Sequence, residues 1–173
     1  MDTDRLTWKV SIVGPTGSGK SSLISRIVYD SDNPASTQKM ILRKRITVPY
    51  NGGTRSVDFL FQELEETDKT EKFLTGSTAI LITADVTSKD SLKYSEEILK
   101  FISGFERKPL VVVLGTKTDL RYEAVIWQDE LDRLAKKYGA LSFLVTAKNA
   151  NDVPKVLEQI SSRLLEKVAS KRK

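Results

Sequence analysis

The chain contains no cysteine and no histidine. Without cysteine there is no disulfide, no thiolate metal site and no lipid attached through a thiol. The opening residues MDTD offer no glycine for myristoylation, and no charged-then-apolar leader precedes the first apolar run. A cytoplasmic protein without a lipid anchor is therefore expected. Long apolar runs are also missing: AILITADV and LVVVLG are far too short to cross a bilayer. The sequence has no internal repeat, no linker and no low-complexity segment. The lack of cysteine and histidine beside abundant Lys and Glu is a composition that suits a thermophile.

At 173 residues the chain is expected to form one domain, which at this size buries roughly 70% of its unfolded surface. Apolar residues make up 39% and charged ones 29%, a balance that suggests neither the disordered nor the membrane class. The net charge of +5 would suit phosphates, anionic lipids or nucleic acid. The basic residues of the central hairpin and of the tail SKRK are not interleaved with aromatics, so nucleic acid is not an expected partner.

Short apolar runs rich in β-branched residues alternate with segments of helical spacing. TWKVSIVG reads as a strand, and Leu23, Ile24 and Ile27 give the following helix a buried stripe. MILRKRITVPY and TRSVDFLF are joined by NGG, a hairpin signal because Asn and Gly tolerate positive φ. AILITAD is a strand, SKDSLKYSEEILKFISGF a helix with Ser88 as its cap, and LVVVLG a central strand covered on both faces. WQDELDRLAKKYG reads as a helix ended by Gly139, ALSFLVT as the last strand, and DVPKVLEQISSRLLEKVASKRK as the last helix. The alternation predicts an α/β fold with a mostly parallel six-stranded sheet, one antiparallel edge strand and helices on both faces.

Between the first strand and the first helix stands GPTGSGKS, Gly14 to Ser21, which fits GxxxxGK(S/T). Glycines let such a loop turn its backbone N–H groups toward phosphate oxygens, and the helix N-terminus behind it favours negative charge. Thr16, Gly17, Ser18, Gly19, Lys20, Ser21 and Ser22 are the candidate phosphate-binding residues. Lys20 would reach the β- and γ-phosphates and Ser21 would ligate Mg²⁺. After LVVVLG comes TKTD, Thr116 to Asp119. A carboxylate there can accept two hydrogen bonds from guanine N1–H and its 2-amino group, a pattern adenine does not offer. After the last strand comes TAK, Thr146 to Lys148, where a backbone N–H can meet guanine O6 and the lysine stem can cover the base. Each motif falls at the C-terminal end of a parallel strand, where open α/β sheets place ligands.

With these three motifs in this order the chain resembles the Ras superfamily of small GTPases over nearly its whole length. GPTGSGKS resembles the family's phosphate loop, GTKTDL its (N/T)KxD motif, VTAK its SAK motif, and TADVTSKDSL the segment many members write as YDVT followed by a serine. The resemblance implies a P-loop NTPase fold, GTP and GDP as ligands, Mg²⁺ as the metal, and a protein effector or regulator as partner. It implies that Lys20 and Ser21 bind phosphate and Mg²⁺, that Thr116, Lys117 and Asp119 hold guanine, and that Ala147 and Lys148 complete the pocket. A monomer is expected.

One switch residue has a counterpart here, and two places, the second switch and Thr16, depart from the family pattern. The threonine of the first switch that ligates Mg²⁺ corresponds to Thr37, with Ser36 the alternative. Where members carry DxxG followed by glutamine, this chain reads FQELEET: Gln62 or Glu63 stands in place of the aspartate, Glu65 or Glu66 in place of the glycine, and no glutamine follows. An anionic side chain facing a γ-phosphate would repel it. Thr16 stands where many members keep glycine. Glu63, Glu65 and Glu66 are thus the only catalytic candidates, and slow hydrolysis is expected, or none. The acidic run also has structural readings: Asp68 and Glu71 form a capping-box pattern, and carboxylates here can neutralise Lys39, Arg43, Lys44 and Arg45. A third reading makes Glu63 a replacement support for Mg²⁺. The functional alternatives are a switch that cycles between GTP and GDP and a non-hydrolysing scaffold that keeps its nucleotide.

Overall fold

The structure is a computed structural model that describes residues 6–15, 17–29, 41–64, 74, 76–149 and 151–171. Among the described residues six strands form one sheet: β1 (Leu6–Val13), β2 (Ile41–Tyr50), β3 (Gly53–Glu63), β4 (Ala79–Asp85), β5 (Leu110–Thr116) and β6 (Leu141–Leu144). Their spatial order is β2-β3-β1-β4-β5-β6. Among the described residues four α-helices accompany them: α1 (Lys20–Tyr29), α2 (Lys89–Ser103), α3 (Gln128–Lys137) and α4 (Asp152–Lys171).

The hairpin forms where NGG predicts it. Asn51 and Gly52 adopt φ of 48° and 78°, the paired positive values of a turn whose twist matches its strands. Tyr50 then faces Gly53, and the register runs antiparallel to Ile41 opposite Gln62. All the other strand pairs are parallel. β5 is buried at every residue, which is why it can be an almost unbroken run of Val and Leu.

The sheet separates two apolar cores. On one face α1 and α4 cover Val10, Ile12, Phe59 and Phe61, and Trp8 packs edge-on against Phe59. On the other, α2 and α3 cover Ile80, Ile82, Val111 and Val113. Burying one such aliphatic side chain contributes about 1.5–3 kcal/mol.

Two local expectations need correction. Ser88 occupies the N-cap position of α2, yet its side chain makes no capping hydrogen bond. Thr87, one residue earlier, satisfies its own N–H and hydroxyl on Asp85 Oδ1, at 2.8 and 2.6 Å. The last strand is shorter than ALSFLVT: it runs only from Leu141 to Leu144, although Val145 N–H still donates to Gly115 O of β5 at 2.8 Å, and the chain leaves for a loop at Thr146. There Thr146 N–H donates to the carboxylate of Asp152 at 3.0 Å. The proposed capping pair Asp68 and Glu71 lies outside the described residues, as does Lys39. Of the hairpin cations, Arg45 pairs with buried Asp58 of β3 at 2.8 Å.

The topology fixes where a site can form. β1 lies between β3 and β4, so the chain winds outward in opposite directions from that point, and a crevice opens at the C-terminal strand ends. The loops after β1, β4, β5 and β6 all emerge there.

Candidate functional site

The loop after β1 is anchored by close contacts. At Gly14 an added Cβ would lie 2.0 Å from Thr83 Oγ1 and 2.9 Å from the Thr83 carbonyl, so no side chain fits. Gly17 and Gly19 adopt φ of 81° and 97°, a region that L side chains rarely enter. Ser18 is buried and shares a 2.6 Å hydrogen bond with Thr83 Oγ1, whose own hydroxyl is 3.2 Å from the carbonyl of Val13. The Thr116 hydroxyl donates to Ser18 O at 2.6 Å. β1, β4 and β5 are therefore tied together at this one loop.

Lys20 opens α1, and its Nζ donates to Gly14 O at 2.6 Å, spanning the mouth of the loop. The next residue, Ser21, donates its hydroxyl to both oxygens of Glu63, at 3.0 and 3.1 Å. Glu63 ends β3, opposite Ile12 of β1, and is buried. Of the two residues the sequence offered here, Gln62 and Glu63, it is Glu63 that meets Ser21. Leu64 follows, buried, with its N–H on Ile12 O at 2.9 Å.

The hydroxyl of Ser21 and the carboxylate of Glu63 are hard oxygen donors, the kind Mg²⁺ takes alongside phosphate oxygens. Among the described residues no cluster of three or more acidic side chains offers a complete cation site. The residues present therefore fit an ion that a phosphate ligand completes. Thr37, Ser36, Thr16, Glu65 and Glu66 lie outside the described residues.

Beside the phosphate loop is a pocket of about 260 Å³ lined by Gly19, Ser22, Leu23, Thr116, Lys117, Asp119, Leu120, Val145, Thr146, Ala147 and Lys148. Residues from all three motifs thus line one cavity. Asp119 accepts the Thr146 hydroxyl at 2.7 Å on Oδ1 and faces Lys148 Nζ at 3.3 Å on Oδ2. Partial burial pushes its carboxyl up, but Thr146 and Lys148 outweigh that and hold it below the usual carboxylate range. It is therefore ionised at neutral pH, as an acceptor of two N–H groups must be.

Two supporting residues went unread in the sequence. Asp85, the last residue of β4, pairs with Lys117 Nζ at 2.9 Å. Arg26 of α1 donates Nε–H to Ala147 O at 2.6 Å and so clamps the TAK loop from below the pocket. Asp85 had a signal in TADVT, a carboxylate ending a strand next to the TKTD strand. Arg26 had none, since its partner is 121 residues away.

A family model described as "Ras family" matches residues 9–166. Among curated proteins the chain is similar to Ras-related protein rapC of Dictyostelium discoideum, 30% identical over 156 residues, covering 82% of this chain and 53% of that one. It is similar to Ras-related protein Rab-13 of Bos taurus, 25% identical over 173 residues, covering 95% and 83% of the two chains. It is also similar to Ras-related protein SEC4 of Saccharomyces cerevisiae, 26% identical over 171 residues, covering 94% and 77%. The chain thus spans about half the length of rapC and most of the other two. A match over residues 9–166, on a sheet that brings three motif loops to one crevice, means that the chain belongs to the Ras family.

Proposed function

We propose that the protein is a GTP-binding switch that hydrolyses its nucleotide slowly or only with a partner's help. The observation that carries this reading is the ionised Asp119 in a pocket lined by residues of all three motifs. Asp119 would select guanine by accepting its N1–H and 2-amino group, and the TAK backbone would meet O6. The phosphate loop, with Gly17 and Gly19 turned to positive φ, would bind the phosphates through N–H groups, and the Lys20 ammonium lies at its mouth. Ser21, with Glu63 behind it, would hold Mg²⁺. When bound, that ion neutralises charge on the β- and γ-phosphate oxygens. Glu63 keeps the Ser21 proton turned inward, which leaves the oxygen lone pairs facing the crevice.

Slow hydrolysis follows from the chemistry of the second switch. With Glu63 standing for the aspartate of DxxG, the glycine position falls on Glu66, a carboxylate where a γ-phosphate would be sensed, and no glutamine follows to orient water. The same feature favours a second reading, a scaffold that keeps its nucleotide. Single-turnover hydrolysis of GTP with Mg²⁺ separates them. GTP decaying above its rate in buffer, alone or with cell extract, supports the switch, and GTP persisting on the protein supports the scaffold. Lys20→Ala is expected to abolish nucleotide binding, and wild-type affinity in that variant would refute the phosphate-loop assignment.

A further inference from the structure

Lys117 has a backbone φ of 62°, the left-handed region that a lysine seldom occupies. Such a conformation is unfavourable unless neighbouring contacts fix it. Leu120 N–H donates to Lys117 O at 2.9 Å, which closes the turn but leaves the side chain undirected. The direction comes from β4. Asp85 lies opposite Thr116 in the β4–β5 ladder, and Val86 N–H donates to Thr116 O at 3.2 Å, so the two strand ends stay in step.

The Asp85 carboxylate is divided between two tasks. Oδ1 accepts both the N–H and the hydroxyl of Thr87, which fixes the plane of the group. Oδ2 is left for Lys117 Nζ at 2.9 Å. The carboxylate is 13% exposed and the lysine side chain 37%, so the pair sits at the pocket wall and solvent screens it only in part. The lysine whose ammonium meets Asp85 also lines the cavity, together with Gly19.

We propose that Asp85 is a positioning residue of the base pocket, holding Lys117 so that its aliphatic stem forms one wall against the guanine ring. The inference rests on the guanine-nucleotide reading above. It assigns selectivity and residence time to a carboxylate outside the three motifs, and it makes Thr87 the group that aims it. Asp85 does not line the cavity itself, so it would act on a ligand there through Lys117.

The test is the dissociation rate of a fluorescent GDP analogue in a double-mutant cycle. Asp85→Asn keeps the shape and removes the charge, and dissociation is expected to rise about tenfold with the association rate little changed. In a Lys117→Met background, which keeps a stem without an ammonium, Asp85→Asn is expected to add less than twofold. An equal effect in both backgrounds would mean that Asp85 merely supports the fold, and would overturn the proposal, as would an unchanged rate in the single variant. Should Asp85→Asn not fold, Thr87→Val reads the same chain of contacts, with a two- to threefold rise expected and no rise overturning it. Failure of the wild-type protein to bind GDP would overturn the nucleotide reading itself, a result distinct from wild-type binding with an insensitive Asp85.

Discussion

Replacing Gly14 by alanine tests whether the phosphate loop is held as described. The new methyl carbon would lie 2.0 Å from Thr83 Oγ1, 2.7 Å from Ser18 Oγ and 2.9 Å from the Thr83 carbonyl, where ordinary contact begins at 3.4 Å. Thr83 is fully buried and β-branched, so its side chain has little freedom to turn the hydroxyl away. The variant must therefore give up the Ser18–Thr83 hydrogen bond and shift backbone. One buried hydrogen bond is worth about 1 kcal/mol net, and overpacking adds about 1–3 kcal/mol. A loss of about 2–4 kcal/mol follows, against a typical total of about 5–15 kcal/mol. For a chain of this size that lowers Tm by about 4–16 °C. Urea unfolding gives the free energy, and Thr83→Ala supplies the cycle. Removing Oγ1 relieves the worst contact and leaves the backbone carbonyl, so the double variant is expected to lose at least 1 kcal/mol less than the sum of the singles. Strict additivity, or a Gly14→Ala variant within about 0.5 kcal/mol of wild type, would refute the packing argument.

Glu63→Gln keeps the length of the side chain and weakens its hold on Ser21, so the Mg²⁺ concentration needed to slow GDP release is expected to rise about tenfold. Titrating Mg²⁺ against the GDP off-rate checks this, and an unchanged midpoint would detach Glu63 from the metal. Asp85 and Asp119 both have carboxyls held below their usual range. For Asp85 burial pushes the other way and is outweighed by Thr87 and Lys117. Groups depressed on folding contribute stability that is present above the ordinary aspartate value of about 4 and is lost as pH falls through the lower folded values. Wild-type stability is therefore expected to fall from about pH 5 downward, and Asp85→Asn to show a shallower decline in acid unfolding curves. Arg26→Gln, which shortens the clamp on Ala147 O, is expected to speed GDP release several-fold without altering the preference for guanine, a result read by stopped-flow displacement.

What the sequence revealed were features set by neighbours in the chain. β5 is legible because a strand covered on both faces can be Val and Leu throughout, and the hairpin because Asn51 and Gly52 carry the positive φ the turn needs. The phosphate loop is legible because close backbone approach to β4 admits only glycine at position 14. Contacts between distant segments were not legible. Ser88 has the chemistry of a cap, but its side chain makes no capping hydrogen bond, and the local side-chain bonds run from Thr87 to Asp85 instead. Glu63 could be placed only to within one residue until β3 was set against β1 and its carboxylate met Ser21. Asp85 and Arg26 support the site through partners on other elements, and periodicity carries no trace of such pairs.

The central claim is that Asp119 makes this a guanine pocket, and equilibrium competition against a fluorescent GDP analogue tests it most directly. GDP is expected to displace the probe at concentrations at least about a hundredfold below those of ADP, and Asp119→Ala to remove that difference while phosphate contacts persist. Displacement by ADP as readily as by GDP in the wild-type protein would contradict the account.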